Sequence, residues 1–462
     1  MTCICGGSGI IMQQEINRSI WRIAWPAVLE MAMYMLMGIA DVAFVGRLGG
    51  AELAGISVGA EIFFAVLLTL NALGAGGSIL VAHNTGAGQS REVNRLAAQI
   101  LSFAFLAGII LSFLGWFLSP VIIKLFAVEP KVASIAVGYM RIAFAFSPLM
   151  LCVTMGNGVF RGNGQTRVPM TIAFVANIVH ILACYALVFG RLGLPELGAV
   201  GTAVALATAH TIAFVLSLYA FASGRWGVKL RFSDLLHISP GAIRRVLSLG
   251  TPAAAEEFFR SSSQVVSSIL LVHLGTQAFA AHQIAIIVES ISYMPGFGFA
   301  IAATALVGQL LGADHPSEAR KVALKAFRFA ILVMGGFAVL FFFLPSWITG
   351  LFTDKPDLIK LSALAIQIAA FEQLTIAAEM VFAGALRGAG DTRTPMLVAT
   401  IGIWGFRLPV LWFLIMRMHV GLTGVWTLFV IDWALRSLIM YIFFRRFDWK
   451  RSHSLKTSFA EE

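Results

Sequence analysis

The nine residues RGNGQTRVP at positions 161–169 recur as RGAGDTRTP at positions 387–395, an offset of 226 residues (387 − 161 = 226). Glycine ends a helix well because it adopts left-handed backbone angles, and proline starts the next helix because no N–H is needed there. The motif therefore predicts the same helix–turn–helix connection in each half of the chain. We interpret its arginines as anchors at the cytoplasmic headgroups.

The same offset relates many other positions on both sides of this motif without a gap. The matched pairs are Pro26 with Pro252, Leu48-Gly49 with Leu274-Gly275, Gly86 with Gly312, Phe126 with Phe352, and Pro130 with Pro356. Near the end of each half the offset falls to 223 (421 − 198 = 223), where Gly198 and Gly201 match Gly421 and Gly424. Self-similarity at a fixed offset indicates that the chain contains two copies of one structural unit.

Apolar residues make up 59% of the chain and charged residues only 12%, whereas an ordinary soluble domain is about one-quarter charged. Apolar runs of about 20 residues, enough for a helix to cross a bilayer, recur along its length. The sequence thus predicts an all-α integral membrane protein with twelve transmembrane helices. The predicted spans are 20–45, 53–82, 96–118, 132–158, 168–190, 198–221, 246–272, 278–309, 322–344, 358–386, 395–416 and 421–444.

One sizeable polar connection interrupts this pattern, and it lies at the middle of the chain. We therefore predict an N-terminal six-helix lobe at residues 1–221, a cytoplasmic linker at 222–245, and a C-terminal six-helix lobe with a short basic tail at 246–462. An even number of spans returns the chain to the same side, so the repeats are expected to be parallel and to meet at a central cleft. This arrangement suits alternating access better than a static pore.

The formal net charge of +10 is explained by topology and not by nucleic acid. With a cytoplasmic N-terminus, about 22 of the basic residues fall on inside loops and about 7 on outside loops. Both termini are then cytoplasmic. The four cysteines have no paired spacing for a structural metal, so no metal is predicted. No HExxH motif, phosphate loop or pore-filter signature supports an enzyme or a channel.

An ionisable side chain at membrane depth costs several kcal/mol, so each one is a functional candidate. Glu30 and Glu256 are repeat mates, each four residues after the matched proline, and Glu256 stands four residues before Arg260. Two interpretations remain open for these carboxylates: they line the cytoplasmic mouth of the cleft, or they pair with a neighbouring arginine.

Asp41 differs from these glutamates because its repeat mate is the uncharged Ser267 (41 + 226 = 267). A structural requirement common to both halves therefore does not explain a carboxylate at this position. Burial favours the protonated form of a carboxyl group, so Asp41 is predicted to exchange a proton near neutral pH and to couple that exchange to conformation. The alternative is that Asp41 is an interfacial helix cap or a member of an ion pair.

Taken together, several motifs resemble those of the multidrug and toxic compound extrusion (MATE) family, in particular its bacterial DinF-like branch. The resemblance covers essentially the full chain. It is carried by Pro26 with Asp41 and Gly46-Arg47-Leu48-Gly49, by Leu249-Gly250, Pro252, Leu274-Gly275 and His282-Gln283, by the two RGxGxTR turns, and by Trp404, Arg407, Pro409 and Gly421 with Val425-Trp426.

This resemblance implies export of organic compounds, often cationic and amphiphilic, in exchange for H⁺ or Na⁺, with Asp41 as the cation-coupling residue. Relatives commonly carry Asn and Asp where this chain has His180 and Cys184, and Thr where Leu206 falls. Because Na⁺ prefers several oxygen ligands, these changes favour H⁺. Asn177 and His180 are predicted to join Asp41 in the cation-coupling cluster. The alternative for His180 is a hydrogen bond to a neighbouring helix without a role in coupling.

The resulting prediction is a monomeric antiporter of the bacterial inner membrane, in contact with lipid, that exports small organic substrates without a cofactor. The alternative within the same superfamily is a flippase for lipids or lipid-linked sugars. The candidates for contact with substrate in the cleft are Glu30, Glu256, Glu257, Arg260, Gln283 and Arg407.

Overall fold

The computed structural model describes residues 9–126, 128–231, 234–235 and 239–449, most of which are helical. The first-half helices are α1 Gly9–Val45, α2 Gly50–Gly86, α3 Ser90–Leu125, α4 Pro130–Ala145, α5 Ser147–Gly162, α6 Arg167–Val188 and α7 Gly201–Ser223, preceded by a 3₁₀ turn at Gly198–Val200. The second-half helices are α8 Pro240–Val272, α9 Thr276–Gly312, α10 Pro316–Phe343, the short α11 Pro345–Gly350, α12 Pro356–Ala369, α13 Gln373–Gly388, α14 Arg393–Thr400, a π-helical turn Ile401–Arg407, α15 Leu408–Met416 and α16 Leu422–Arg446.

The lengths of these helices confirm the predicted membrane architecture. Within the described residues, nine helices are long and apolar enough to cross a bilayer, and two bent pairs, α4 with α5 and α12 with α13, raise the number to 11. The helix α8 is 33 residues long but carries Glu256, Glu257 and Arg260 near its middle, which makes it less apolar. As the repeat mate of α1, it completes the expected set of about twelve spans.

The predicted spans 132–158 and 358–386 each correspond to a bent pair of helices and not to one straight helix. The chain bends by 58° between α4 and α5, and by 50° between α12 and α13. The bends lie at Phe146 and Glu372, which are themselves repeat mates (372 − 146 = 226). At the first bend Pro148 lacks an N–H donor, and the hydroxyl of Ser147 donates to Phe144 O at 2.7 Å. The duplicated unit thus includes a broken helix that hydropathy alone did not reveal.

The first compact unit of the fold is Leu29–Ala254, which contains the C-terminal part of α1, the helices α2 to α7, and the N-terminal part of α8. Its helices pack mainly as α2 and α3 against α4 and α5, and as α6 against α7. Small residues permit close approach at these contacts, and buried aromatic side chains, such as Phe63 against Phe144 at 5.1 Å between ring centroids, fill the space between them.

The second compact unit comprises the described residues of Met1–Val28 and of Ala255–Glu462. One buried core joins the start of α1 to α9, α10, α13 and α16, and a second surrounds Trp426 on α16. The unit boundaries follow Val28 and Ala254, which are repeat mates and lie two residues after Pro26 and Pro252. The helices α1 and α8 each therefore contribute to both units. The predicted domain boundaries at 221 and 246 follow the repeat, and they remain a prediction.

Replacing Gly250 by alanine is expected to destabilise the protein by about 1–3 kcal/mol, the usual cost of overpacking. A Cβ atom on Gly250 would overlap the carbonyl of Leu73 on α2, and one on Gly76 would overlap the carbonyl of Val246, so neither helix can yield by a rotamer change. Thermal unfolding of the purified variant measures the effect. Gly336→Ala is the matched control, because no atom lies within 4 Å of the added Cβ. An equal loss in both variants would contradict the packing argument.

Candidate functional site

Asp41 on α1 lies against two side chains of α6, His180 and Cys184. The distance from Asp41 Oδ1 to His180 Nε2 is 2.8 Å, and Cys184 Sγ lies 3.5 Å from each of these two atoms. We call these three residues the coupling cluster. The structure therefore brings together Asp41 and His180, as the sequence predicted, and adds a thiol as the third member.

The positions of the coupling cluster follow from helix geometry. His180 and Cys184 are four residues apart, so their side chains lie on the same face of α6. Both are fully buried, whereas the side chain of Asp41 is 16% exposed. Among the described residues, His180 Nδ1 and the buried hydroxyl of Tyr139 on α4 have no hydrogen-bond partner. The cluster is thus buried on the α6 side and partly accessible on the Asp41 side.

Asn177 lies one turn before His180 but does not contact Asp41. Its Nδ2 donates to the carbonyl of Met33 on α1 at 2.7 Å, and to that of Ala173 at 3.3 Å. A buried amide that satisfies a backbone carbonyl of a neighbouring helix fixes the two helices relative to each other. Asn177 therefore links α6 to α1 at Met33, about two turns before Asp41 on the same helix.

The coupling cluster offers an oxygen, a nitrogen and a sulfur atom that all lie within 4.8 Å of one another. Such a group could hold a metal ion, and its mixed donors suit a transition metal better than Na⁺. The sequence-based expectation that the chain holds no metal rested on cysteine spacing alone, and it remains a prediction.

Glu30 and Arg161 form a buried ion pair that we call the first clamp. Arg161 donates through Nε to Glu30 Oε2 at 3.1 Å and through Nη2 to Oε1 at 2.5 Å. Asn157 Nδ2 donates to the same carboxylate at 3.3 Å and to the Tyr34 hydroxyl at 3.4 Å. Glu30 is fully buried. A bidentate guanidinium–carboxylate contact satisfies both charges in a low-dielectric surrounding.

Glu256 and Arg387 form the second clamp at the equivalent positions of the second repeat. Arg387 Nη2 lies 2.6 and 2.7 Å from the two oxygens of Glu256, and Arg260 Nη2 lies 3.3 Å from Oε1. Arg260 also lies 3.4 Å from Glu257. The partners are 131 residues apart in both clamps. Of the two interpretations left open by the sequence, the structure thus shows the arginine pairing.

The clamp arginines are the first residues of the two RGxGxTR motifs, and the sequence did not indicate their ion pairs with Glu30 and Glu256. The signal that would have found them is the equal separation of Glu30 from Arg161 and of Glu256 from Arg387. In each repeat, the clamp ties the first span to the end of the helix that precedes the motif, α5 or α13.

Arg407 belongs to a third ionic group, in the second unit. Its Nε donates to Asp432 Oδ2 at 2.8 Å, and Arg436 Nε donates to the same oxygen at 3.0 Å. Arg436 also reaches Glu379 at 3.5 Å. Asp432 and Arg436 are buried. Gln283, another candidate, is exposed on α9.

Two further carboxyl groups are buried in the second unit and were not among the predicted site residues. Glu289 accepts a hydrogen bond from the Tyr293 hydroxyl at 3.0 Å. Glu372, at the bend between α12 and α13, is also buried, and its carboxyl group interacts with that of Glu289. The sequence signal that indicates them is the presence of a carboxyl group deep within an apolar helix.

Long apolar helices arranged as a repeat, with ionisable side chains gathered in a few buried clusters, are typical of secondary transporters. The fold defines a multi-pass, all-helical membrane protein. The family model described as MatE matches residues 26–186 and again residues 252–413, so its two matches begin at the repeat mates Pro26 and Pro252.

The chain belongs to the MatE family of transporters and is not an enzyme. It is 31% identical to a probable multidrug resistance protein NorM of Thermotoga maritima, over 95% of this chain and 94% of that protein. It is 23% identical to an uncharacterized transporter YisQ of Bacillus subtilis, over 93% and 94% of the two chains.

Solved structures share the same fold. The outward-facing conformation of a multidrug resistance MATE family transporter superposes with a TM-score of 0.86 at 19% identity, over 96% of this chain and 97% of that one. A MOP superfamily transporter from Pyrococcus furiosus gives a TM-score of 0.87 at 18% identity, again over 96% and 97%.

Proposed function

We propose that this antiporter exports small organic compounds in exchange for protons, and that Asp41 is the residue through which the proton acts. The observation that carries the proposal is the 2.8 Å contact between Asp41 Oδ1 and His180 Nε2, with Cys184 as the third neighbour. A carboxyl and an imidazole at this distance share one proton in a hydrogen bond. The same set lacks the several oxygen ligands that Na⁺ requires.

The contact also suggests how proton binding changes the conformation. Asp41 is on α1 and His180 is on α6, so the number of protons in the coupling cluster sets the attraction between the two helices. An ionised Asp41 attracts a protonated His180, and a neutral Asp41 loses that attraction. The proton therefore biases the packing of α1, a helix that also contributes to the other compact unit. Proton binding can shift a conformational equilibrium only if the coupling residue makes different contacts in the two conformations.

The proposed substrates are drug-like organic compounds. The Thermotoga maritima relative is named as a probable multidrug resistance protein, and MATE structures have been solved in complex with MaL6 and with Br-NRF. We further propose that the protein belongs to the DinF-like branch and lies in a bacterial inner membrane, with both termini cytoplasmic and its spans surrounded by lipid. It acts as a monomer without a cofactor, and a central cleft opens alternately to the two sides of the membrane. The cleft candidates Glu256, Glu257 and Arg260 would then act as a connected ionic group.

Export driven by defined ion gradients tests the choice of coupling ion. Inverted membrane vesicles that contain the protein are given either a proton gradient in sodium-free buffer or a sodium gradient at equal pH, and accumulation of ethidium, a fluorescent lipophilic cation, is followed. We expect accumulation with the proton gradient and its collapse when a protonophore is added. Accumulation with the sodium gradient alone would contradict the proposal, and vesicles without the protein provide the background.

A further inference from the structure

We infer that the coupling cluster is also a binding site for a divalent transition-metal ion of the zinc class, held by Asp41 Oδ1, His180 Nε2 and the Cys184 thiolate. This inference concerns binding alone, so it does not depend on which ion drives transport. It begins from the donor atoms. Imidazole nitrogen and thiolate sulfur are the characteristic protein ligands of Zn²⁺, with a carboxylate oxygen as a common third.

The distances within the cluster fit such an ion. A tetrahedral Zn²⁺ with bonds of about 2.0 Å to oxygen and nitrogen and about 2.3 Å to sulfur places its ligand atoms about 3.3–3.6 Å apart. Both contacts of Cys184 Sγ, to Asp41 Oδ1 and to His180 Nε2, measure 3.5 Å. The remaining pair, at 2.8 Å, is a hydrogen bond that must widen by about half an ångström to admit the ion.

The charges within the cluster favour a divalent ion over a monovalent one. An ionised Asp41, a Cys184 thiolate and a neutral His180 carry two negative charges, which a divalent cation neutralises. A neutral complex avoids the high cost of an uncompensated charge at membrane depth. Binding releases the thiol proton of Cys184 to the solvent, and a neutral His180 then carries its proton on Nδ1 so that Nε2 can bind the ion. A second proton held by the Asp41–His180 pair would also be released.

The coupling cluster is partly accessible to solvent, as expected for a site that exchanges its metal ion. Three protein ligands leave the fourth tetrahedral position for water, as in open zinc sites. His180 and Cys184 are fully buried, so the partly exposed Asp41 provides the approach to that position. A bound ion would link α1 to α6 through three bonds and occupy the atoms proposed to hold the proton. The metal is therefore expected to inhibit proton-driven export.

Cobalt binding tests the site directly, because a thiolate ligand gives Co²⁺ a sulfur-to-metal charge-transfer absorption in the near ultraviolet. The chain has four cysteines, of which Cys3 and Cys5 lie outside the described residues. The reference protein should therefore carry Cys3→Ser and Cys5→Ser, be reduced, and have no polyhistidine tag. We expect the reference to bind one Co²⁺ per chain in detergent with this absorption, and equimolar Zn²⁺ to abolish it.

Matched thiol variants identify the ligand. Cys152 is the other buried thiol, on α5, where its Sγ contacts Leu101 O. We expect the absorption to persist in Cys152→Ser and to vanish in Cys184→Ser. His180→Gln keeps the thiol and should weaken Co²⁺ binding by at least about tenfold, even if Cys184→Ser does not fold. Absorption that is missing from the reference, or retained in Cys184→Ser, would overturn the inference. Neither result bears on proton coupling, which is measured by transport without added metal.

Discussion

Replacing Asp41 by asparagine is expected to abolish gradient-driven export, with a fall of at least about tenfold in the initial rate, since coupling free energies of 1–3 kcal/mol correspond to about 5–150-fold effects. Asparagine has nearly the same shape and can still hydrogen-bond His180, so the packing of α1 against α6 should survive. It cannot take up or release a proton. The rate of ethidium accumulation in inverted vesicles with a proton gradient measures the loss.

A matched control for this change lies in the second repeat. Ser267 is the repeat mate of Asp41, on α8, and Ser267→Ala should leave the export rate close to that of the wild type. The two variants need equal amounts of protein in the membrane and similar thermal unfolding. If Asp41→Asn protein exports ethidium at the wild-type rate under a proton gradient, Asp41 is not the coupling residue.

Replacing Arg161 by methionine is expected to cost about 3–5 kcal/mol of stability, the usual effect of removing one partner of a buried ion pair. Glu30 is fully buried, and Arg161 provides both of its short contacts, so the variant leaves a carboxylate with only the uncharged partners Asn157 and Tyr34. The corresponding change Arg387→Met should cost less, because Arg260 remains 3.3 Å from Glu256. Thermal unfolding of the purified variants measures both effects.

A double variant separates loss of the charge pair from loss of packing. Glu30→Gln combined with Arg161→Met removes the orphaned charge, so it should be more stable than Arg161→Met alone. The exposed pair Lys131 and Glu52 is the matched control for ion pairing, and Lys131→Met should change unfolding very little. A double variant less stable than the single one would contradict the account of the first clamp.

The sequence was sufficient for most of the fold because two strong patterns coincide. Apolar length gave the spans, and the offset between Pro26 and Pro252 gave their duplication. It was insufficient at the bends near Phe146 and Glu372, because a helix broken by a local backbone change stays equally apolar on both sides. It also did not indicate that α1 and α8 each contribute to two compact units, since that depends on packing between distant segments.

Residues of the candidate site were predictable from the sequence where they depart from the internal repeat or from the pattern of the family. Asp41 stands out because its mate is Ser267, and His180 stands out against the family's usual residue. Partnerships were harder to predict, because they depend on distances between helices. Arg161 was interpreted as a headgroup anchor, and the sequence did not indicate that it neutralises Glu30 across 131 residues of chain. Asn177 was expected beside Asp41, yet it binds the backbone of α1.

The most direct test of proton coupling is to measure whether a substrate gradient drives protons across the membrane in the opposite direction. Proteoliposomes loaded with ethidium, in sodium-free buffer with the membrane voltage clamped, are diluted into ethidium-free buffer while an internal dye reports pH. We expect ethidium efflux to be accompanied by acidification of the interior in the wild type and in Ser267→Ala, but not in Asp41→Asn. Wild-type efflux at constant internal pH, or acidification that persists in Asp41→Asn, would contradict the claim that this transporter exchanges its substrate for protons at Asp41.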